Sequence, residues 1–267
     1  MNMHTSITLP EAFFLPLGDD AYQPTEATIG PWSVESQHGG PPIALLAQAL
    51  RRFPSEFGLD IARITFEILG PVPVEPCELR VRVLRPGRRI ELIQGEMLVR
   101  GKPVLLAHAW RVERKPESAV AVADPFAVPP LPEAQAQVFF HGVDYFPYAD
   151  ALEWRFADGS FREPGPATVW ARPRIPLVAG QPTDGIETLL LILDSANGIS
   201  AELDIRHWTF VPVDLTLNMH RHPTGEWFGM SARTIIDPGG IGTVTTAVFD
   251  RDGALGRSLH TLFVRKK

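Results

Sequence analysis

The sequence predicts an α+β chain of two similar units, each an antiparallel sheet wrapped around one long helix. Three observations carry this: an amphipathic helical stretch followed by four alternating strand-like runs, a second occurrence of that order, and a Pro/Ala/Val-rich segment between them. The expected boundaries are 1–114 for the first unit, 115–150 for the linker and 151–267 for the second unit.

In the first unit a helix is predicted over Pro41–Phe53 (PPIALLAQALRRF), where Leu45, Leu46, Ala49 and Leu50 recur at helical spacing. His38-Gly39-Gly40 leads into it, and proline is tolerated in the first turn because its missing N–H has no partner there. Strands follow over Ala62–Ile68, Cys77–Arg85, Ile90–Arg100 and Val104–Arg114, each alternating apolar with polar residues. Gly70-Pro71, Pro86-Gly87 and Gly101 supply the turns. Lys115 to about Asp150 (KPESAVAVADPFAVPPLPEAQAQ and beyond) reads as a stiff, extended connector.

The second unit replays the order. A helix is expected over about Gly185–Ala196, with DSANG as its exit, then strands over Val213–His220, Glu226–Ile236, Gly242–Asp250 and Leu255–Arg265. Laid over the first, Ile64-Thr65-Phe66 falls on Leu215-Thr216-Leu217 and Gly101 on Gly253. Seven residues beyond each glycine stand His108 and His260.

Composition narrows the function classes. With 45% apolar and 21% charged residues the 267-residue chain has an ordinary globular balance. The net charge of −6 and the lack of any long Lys/Arg run argue against a nucleic-acid partner. Cys77 is the single cysteine, which excludes an intramolecular disulfide and a Cys-based zinc site. The first twenty residues lack a basic start, and no apolar stretch approaches the ~20 residues a membrane span needs, so a cytoplasmic protein is expected. Histidines show no HxxxH or HExxH spacing, so no metal is expected, and neither GxxxxGK[ST] nor the GxSxG nucleophile elbow occurs.

Two such units joined edge to edge would share one sheet with both helices on its concave side, the tandem hotdog arrangement. On HGGPPIALLAQAL, RPGRRIEL, LDSANGISAELD, FVPVDLTLNMHR, GEWFGMSARTIID and DGALGRSLHTLFVR, in this order over roughly Gly30–Val264, the chain resembles the acyl-CoA thioesterase superfamily in its double-hotdog form, related to type II bacterial acyl-CoA thioesterases. The resemblance implies a hydrolase of fatty acid metabolism. It would cleave a fatty-acyl thioester to free acid and coenzyme A with water activated at a carboxylate, without metal, cofactor or covalent intermediate. A hotdog hydratase or dehydratase, with Asp214 and His260 converging in space, and a non-catalytic acyl-CoA-binding protein stay open as alternatives. A homo-oligomer is compatible with further edge pairing or back-to-back sheets.

The resemblance also nominates residues. Asp214, in VDLTLNMHR, takes the place of the family's water-activating aspartate; the bland alternative is a strand-end aspartate facing solvent. His260, with Thr261 beside it, stands where the family often has a glutamine, and Thr234 (or Ser231) lies near the family's hydroxyl. For the substrate, the amides of Gly39 and Gly40 after His38 at the helix start can polarise a carbonyl or simply make a tight turn, and Asn197 in DSANG is a helix stop or an amide beside the acyl chain. Asp194 ends the second helix, where its charge opposes the macrodipole.

Overall fold

The computed structural model describes residues 8–115, 119–140, 143 and 145–267. The first unit begins with a hairpin, β1 (Phe14–Gly18) and β2 (Ala21–Pro24), and continues through α1 (Gly40–Arg52), β3 (Asp60–Ile68), β4 (Cys77–Arg85), β5 (Ile90–Val99) and β6 (Lys102–Val112). The second opens with the one-turn α2 (Pro147–Asp150), then β7 (Leu152–Asp158), β8 (Ala167–Pro173), α3 (Gly185–Leu193) and α4 (Ala196–Ile199). It ends with β9 (Trp208–Pro212), β10 (Asp214–Met219), β11 (Phe228–Asp237), β12 (Ile241–Asp250) and β13 (Gly253–Lys266).

These strands form one antiparallel sheet in the order β1-β2-β4-β5-β6-β3-β10-β13-β12-β11-β8-β7, with β9 paired to β13. The units meet where β3 pairs with β10: Ile64 faces Leu217, Thr65 faces Thr216, and Phe66 faces Leu215. Segments that are equivalent in sequence pair this way around a twofold axis. It runs between Thr65 and Thr216, whose hydroxyls are 3.0 Å apart. The join covers an edge that each sheet would otherwise expose.

Alternation then assigns faces. In β10 Leu215 and Leu217 are buried in the core, so Asp214, Thr216 and Asn218 point out of the opposite face. In β13 Ser258, His260 and Leu262 turn inward while Leu259, Thr261 and Phe263 are exposed. The concave face is filled by α1 and α3, which lie antiparallel. The start of α1 abuts the end of α3, where a Cβ on Gly40 would stand 2.2 Å from the Leu191 carbonyl oxygen. At the other end Arg51 of α1 binds Glu187 of α3, Nε to Oε1 at 2.9 Å.

Four features differ from the sequence reading. The strands β1, β2, β7 and β8 flank the predicted meanders and extend the sheet on both sides. The second helix stops at Leu193, and a short turn at Asp194-Ser195 separates it from α4. Residues 119–140 have neither helix nor strand, as the proline content predicts, but Pro147–Asp150 of the expected linker is helical; its residues 116–118, 141, 142 and 144 lie outside the described ones.

The fourth concerns the two histidines. His108 pairs with Thr65, whereas Thr216 pairs with Leu259, so the counterpart of His108 is Leu259 and that of His260 is Ala109. The hairpin turns are Arg100-Gly101 and Arg251-Asp252, which makes Lys102, not Gly101, the counterpart of Gly253. A one-residue slip in a strand reverses the face. His108 and His260 are therefore not a duplicated pair.

Candidate active site

The antiparallel helices bring the positive N-terminal end of α1 against the negative C-terminal end of α3. Asp194 caps α3 at that junction, with only 5% of its side chain exposed. Its carboxylate approaches the backbone of Gly39 so closely that a Cβ there would lie 2.7–2.9 Å from the carboxyl oxygens. Gly39 is thus required by contact with Asp194. Pro41 and Pro42 follow Gly40 and have no N–H, so the amides at this helix start are those of Gly39 and Gly40.

His38 completes the junction. Its Nδ1 is 3.1 Å from Asp194 Oδ2 and also 3.1 Å from the Gly40 amide that donates to it. The ring stacks on Tyr148 at 3.7 Å with 6° between planes. Tyr148 is held in turn: its hydroxyl donates to Leu191 O at 2.7 Å and lies 2.9 Å from Ser195 Oγ.

Burial sets the electrostatics. Desolvation pushes the Asp194 carboxyl up from 3.8 to about 7, although the facing amides of Gly39 and Gly40 pull it down. Burial likewise drives His38 down to about 3, leaving a neutral imidazole. Asp194 Oδ1 has no hydrogen-bond partner. A carboxyl that ionises near neutrality, with one free oxygen, can take a proton from water.

A groove of about 410 Å³ leads from the surface to this junction, lined by Trp32, His38, Gly39, Leu69, Asp194 and Val213, among others. Asn197 also lines it, and its amide donates to Phe210 O at 3.2 Å. The other end of the helix pair is closed. There the N-cap Asp184 receives the Ile186 amide at 3.1 Å and pairs with His222 at 3.2 Å, while Gly185 packs on the Pro223 carbonyl.

Of the residues nominated by sequence, His38, Gly39, Gly40 and Asn197 gather around Asp194. The other three do not join them or one another. Asp214 faces out of the sheet, its Oδ1 accepting from the Thr261 amide at 2.6 Å. His260 is fully buried on the inner face, and neither ring nitrogen has a partner. Desolvation lowers its pKa to about 4. Asp214 and His260 therefore sit on opposite faces of one sheet and do not converge. Thr234 lies 2.7 Å from Ser200 Oγ, away from the groove.

Asp194 is the residue to which sequence reasoning gave no role, although its place at a helix C-terminus, where its charge opposes the macrodipole, marked it. Among the described residues no group of three or more His, Cys, Asp or Glu side chains is arranged for a metal. Among them, too, no helix is long and apolar enough to cross a membrane.

Comparison with known proteins bears on this geometry. The family described as "Acyl-CoA thioesterase C-terminal domain" matches residues 124–264, and "Acyl-CoA thioesterase N-terminal domain" matches residues 28–112. No curated protein matches the sequence significantly. Among solved structures, a hot dog fold protein of unknown function from Alicyclobacillus acidocaldarius superposes with a TM-score of 0.70 at 18% identity, covering 92% of each chain. An acyl-CoA thioesterase II, TesB2, from Mycobacterium marinum gives 0.65 at 16% identity, covering 95% of this chain and 96% of its own. The tesB protein of Mycobacterium avium subs paratuberculosis gives 0.63 at 15%, covering 94% and 95%.

Proposed function

The chain belongs to the acyl-CoA thioesterase family of paired hotdog domains, and from that premise we propose that it hydrolyses an acyl-CoA thioester at Asp194. The observation that carries the reading is the buried Asp194 carboxyl, pushed to about 7 and set between the first amides of α1 and an open apolar groove.

In this reaction a water molecule held by Asp194 gives a proton to the carboxylate as its oxygen bonds to the thioester carbon. The C–S bond then breaks, the free acid forms, and the thiolate leaves with the proton returned from Asp194. His38 Nδ1 accepts from the Gly40 amide and can accept from Asp194 once the carboxyl has taken up its proton, and stacking on Tyr148 fixes the ring. The amides of Gly39 and Gly40 orient Asp194, and the positive end of α1 favours the negative charge that builds beside it. Asp214, Thr234 and His260 take no part in the chemical step. In this reading Asp194 takes the role expected of Asp214, which lies on the outer sheet face with its carboxylate accepting from the Thr261 amide.

The test is thiol release from acyl-CoAs of graded length, followed against pH. The reading predicts a kcat/KM that rises through an apparent pKa near 7 and levels above it, as the base form accumulates. Thiol release from none of the acyl-CoAs by folded protein, or a profile that falls with rising pH, sinks it.

A further inference from the structure

Beside His38 lies a second, smaller chamber of about 30 Å³, less open than the groove. Its walls are aromatic: Phe140, Phe146, Trp154, Phe161 and Phe210, with Ile205. The two spaces share Trp32, His38 and Asn197, so they touch at the candidate site. The rings brace one another edge to face, Phe140 on Phe161 at 5.1 Å and Trp154 on Phe161 at 5.3 Å.

A thioester positioned at Asp194 has two arms to place. The groove is the arm that reaches solvent, since Leu69, Val213 and Phe263 on its lining are 42–52% exposed. A carrier too large to be enclosed must lie there, which leaves the aromatic chamber to the acyl group.

Resting on the thioesterase reading above, we propose that this chamber is the acyl pocket and that it restricts the enzyme to short acyl groups, with Phe140 as the limiting wall. A cavity of about 150 Å³ takes a benzene ring, and one water occupies about 30 Å³ in the liquid. The chamber therefore admits an acyl group of roughly one or two carbons, and neither a benzoyl group nor a long chain. Phe140 is the wall to move because it comes from a segment without helix or strand. It presses on Gly198, where an added Cβ would lie 3.1 Å from its ring.

The experiment is kcat/KM for acetyl- through palmitoyl-CoA with wild type, Phe140→Ala and Gly198→Ala. Wild type is expected to lose roughly tenfold or more per methylene once the chamber is full. Phe140→Ala should raise the decanoyl-to-acetyl ratio at least ~10-fold, and Gly198→Ala, which pushes inward, should lower the butyryl-to-acetyl ratio. Palmitoyl-CoA cleaved as fast as acetyl-CoA by wild type, or ratios that neither variant moves, would overturn the assignment.

Binding of S-ethyl- and S-decyl-CoA thioethers by calorimetry separates the two layers of the argument. Tight S-ethyl and weak S-decyl binding without hydrolysis of any thioester keeps the chamber and removes the thioesterase. Equal binding of both removes the chamber whatever the hydrolysis shows.

Discussion

Replacing Asp194 by asparagine should make the protein inactive and, at alkaline pH, more stable. The carboxyl is raised from 3.8 to about 7 by burial, which corresponds to about 4 kcal/mol between its neutral and charged forms. The folded-state value lies above the unfolded one, so this stability is fully present below about pH 3.8 and is lost as pH rises through 7. Wild type at pH 8 therefore carries a buried charge that asparagine, of nearly the same shape, removes. A gain of about 2–4 kcal/mol shifts the thermal midpoint of a chain this size up by about 5–15 °C. At pH 4 the two proteins should melt together within about 2 °C, because folded Asp194 is then neutral and the roughly half-ionised carboxyl of the unfolded chain leaves a difference under ~1 kcal/mol. The assay is calorimetry of both proteins at several pH values, with kcat measured on the same samples. A variant that melts below wild type at pH 8, or a difference that does not change with pH, would refute the reasoning that Asp194 is held in a strained, functional setting.

Other perturbations read different parts of the account. His260, buried without a partner and lowered to about 4, supplies stability that is present above about pH 6.5 and lost as pH falls through 4. His260→Leu should thus resist acid better than wild type by up to about 3 kcal/mol, seen in urea midpoints at pH 7 and pH 5. Gly40→Ala drives a Cβ against the Leu191 carbonyl and should cost about 1–3 kcal/mol while impairing thiol release, since it parts the helices that form the site; an unchanged melting point would show that the helices yield freely. Arg111 is buried, pairs with Glu91 and donates to Phe53 O at 2.7 Å and Pro54 O at 3.1 Å, closing the end of α1. Arg111→Ala should cost about 3–5 kcal/mol by stranding Glu91, measured as the fall in unfolding free energy in urea.

Much of the architecture was legible because two periods repeat in one order. The helical spacing of Leu45, Leu46 and Leu50 and the alternation in β3–β6 recur in α3 and β10–β13, and each pattern needs the other to bury its apolar face. The outer strands were not legible: β1 (FLPLG) and β2 (AYQP) are short and carry prolines, and pairing at the edge of an existing sheet supplies what local propensity does not.

The site was partly legible. His38-Gly39-Gly40 announced itself as backbone before a proline-capped helix, but its acceptor, Asp194, lies more than 150 residues away and is joined to it only by helix packing. Asp214 could have been placed from alternation alone, since Leu215 and Leu217 on either side of Thr216 claim the inner face. The match of His108 with His260 failed because one residue of offset between the hairpin turns is invisible in sequence and reverses the face in a strand.

The central claim, that Asp194 and not Asp214 activates water, is tested most directly by kcat/KM of Asp194→Asn and Asp214→Asn measured side by side on one short acyl-CoA at pH 8. The account predicts a fall of about 10²–10⁴-fold for Asp194→Asn and activity near wild type for Asp214→Asn, which loses only its bond to the Thr261 amide. Full activity in Asp194→Asn, or the large loss appearing in folded Asp214→Asn instead, would contradict it.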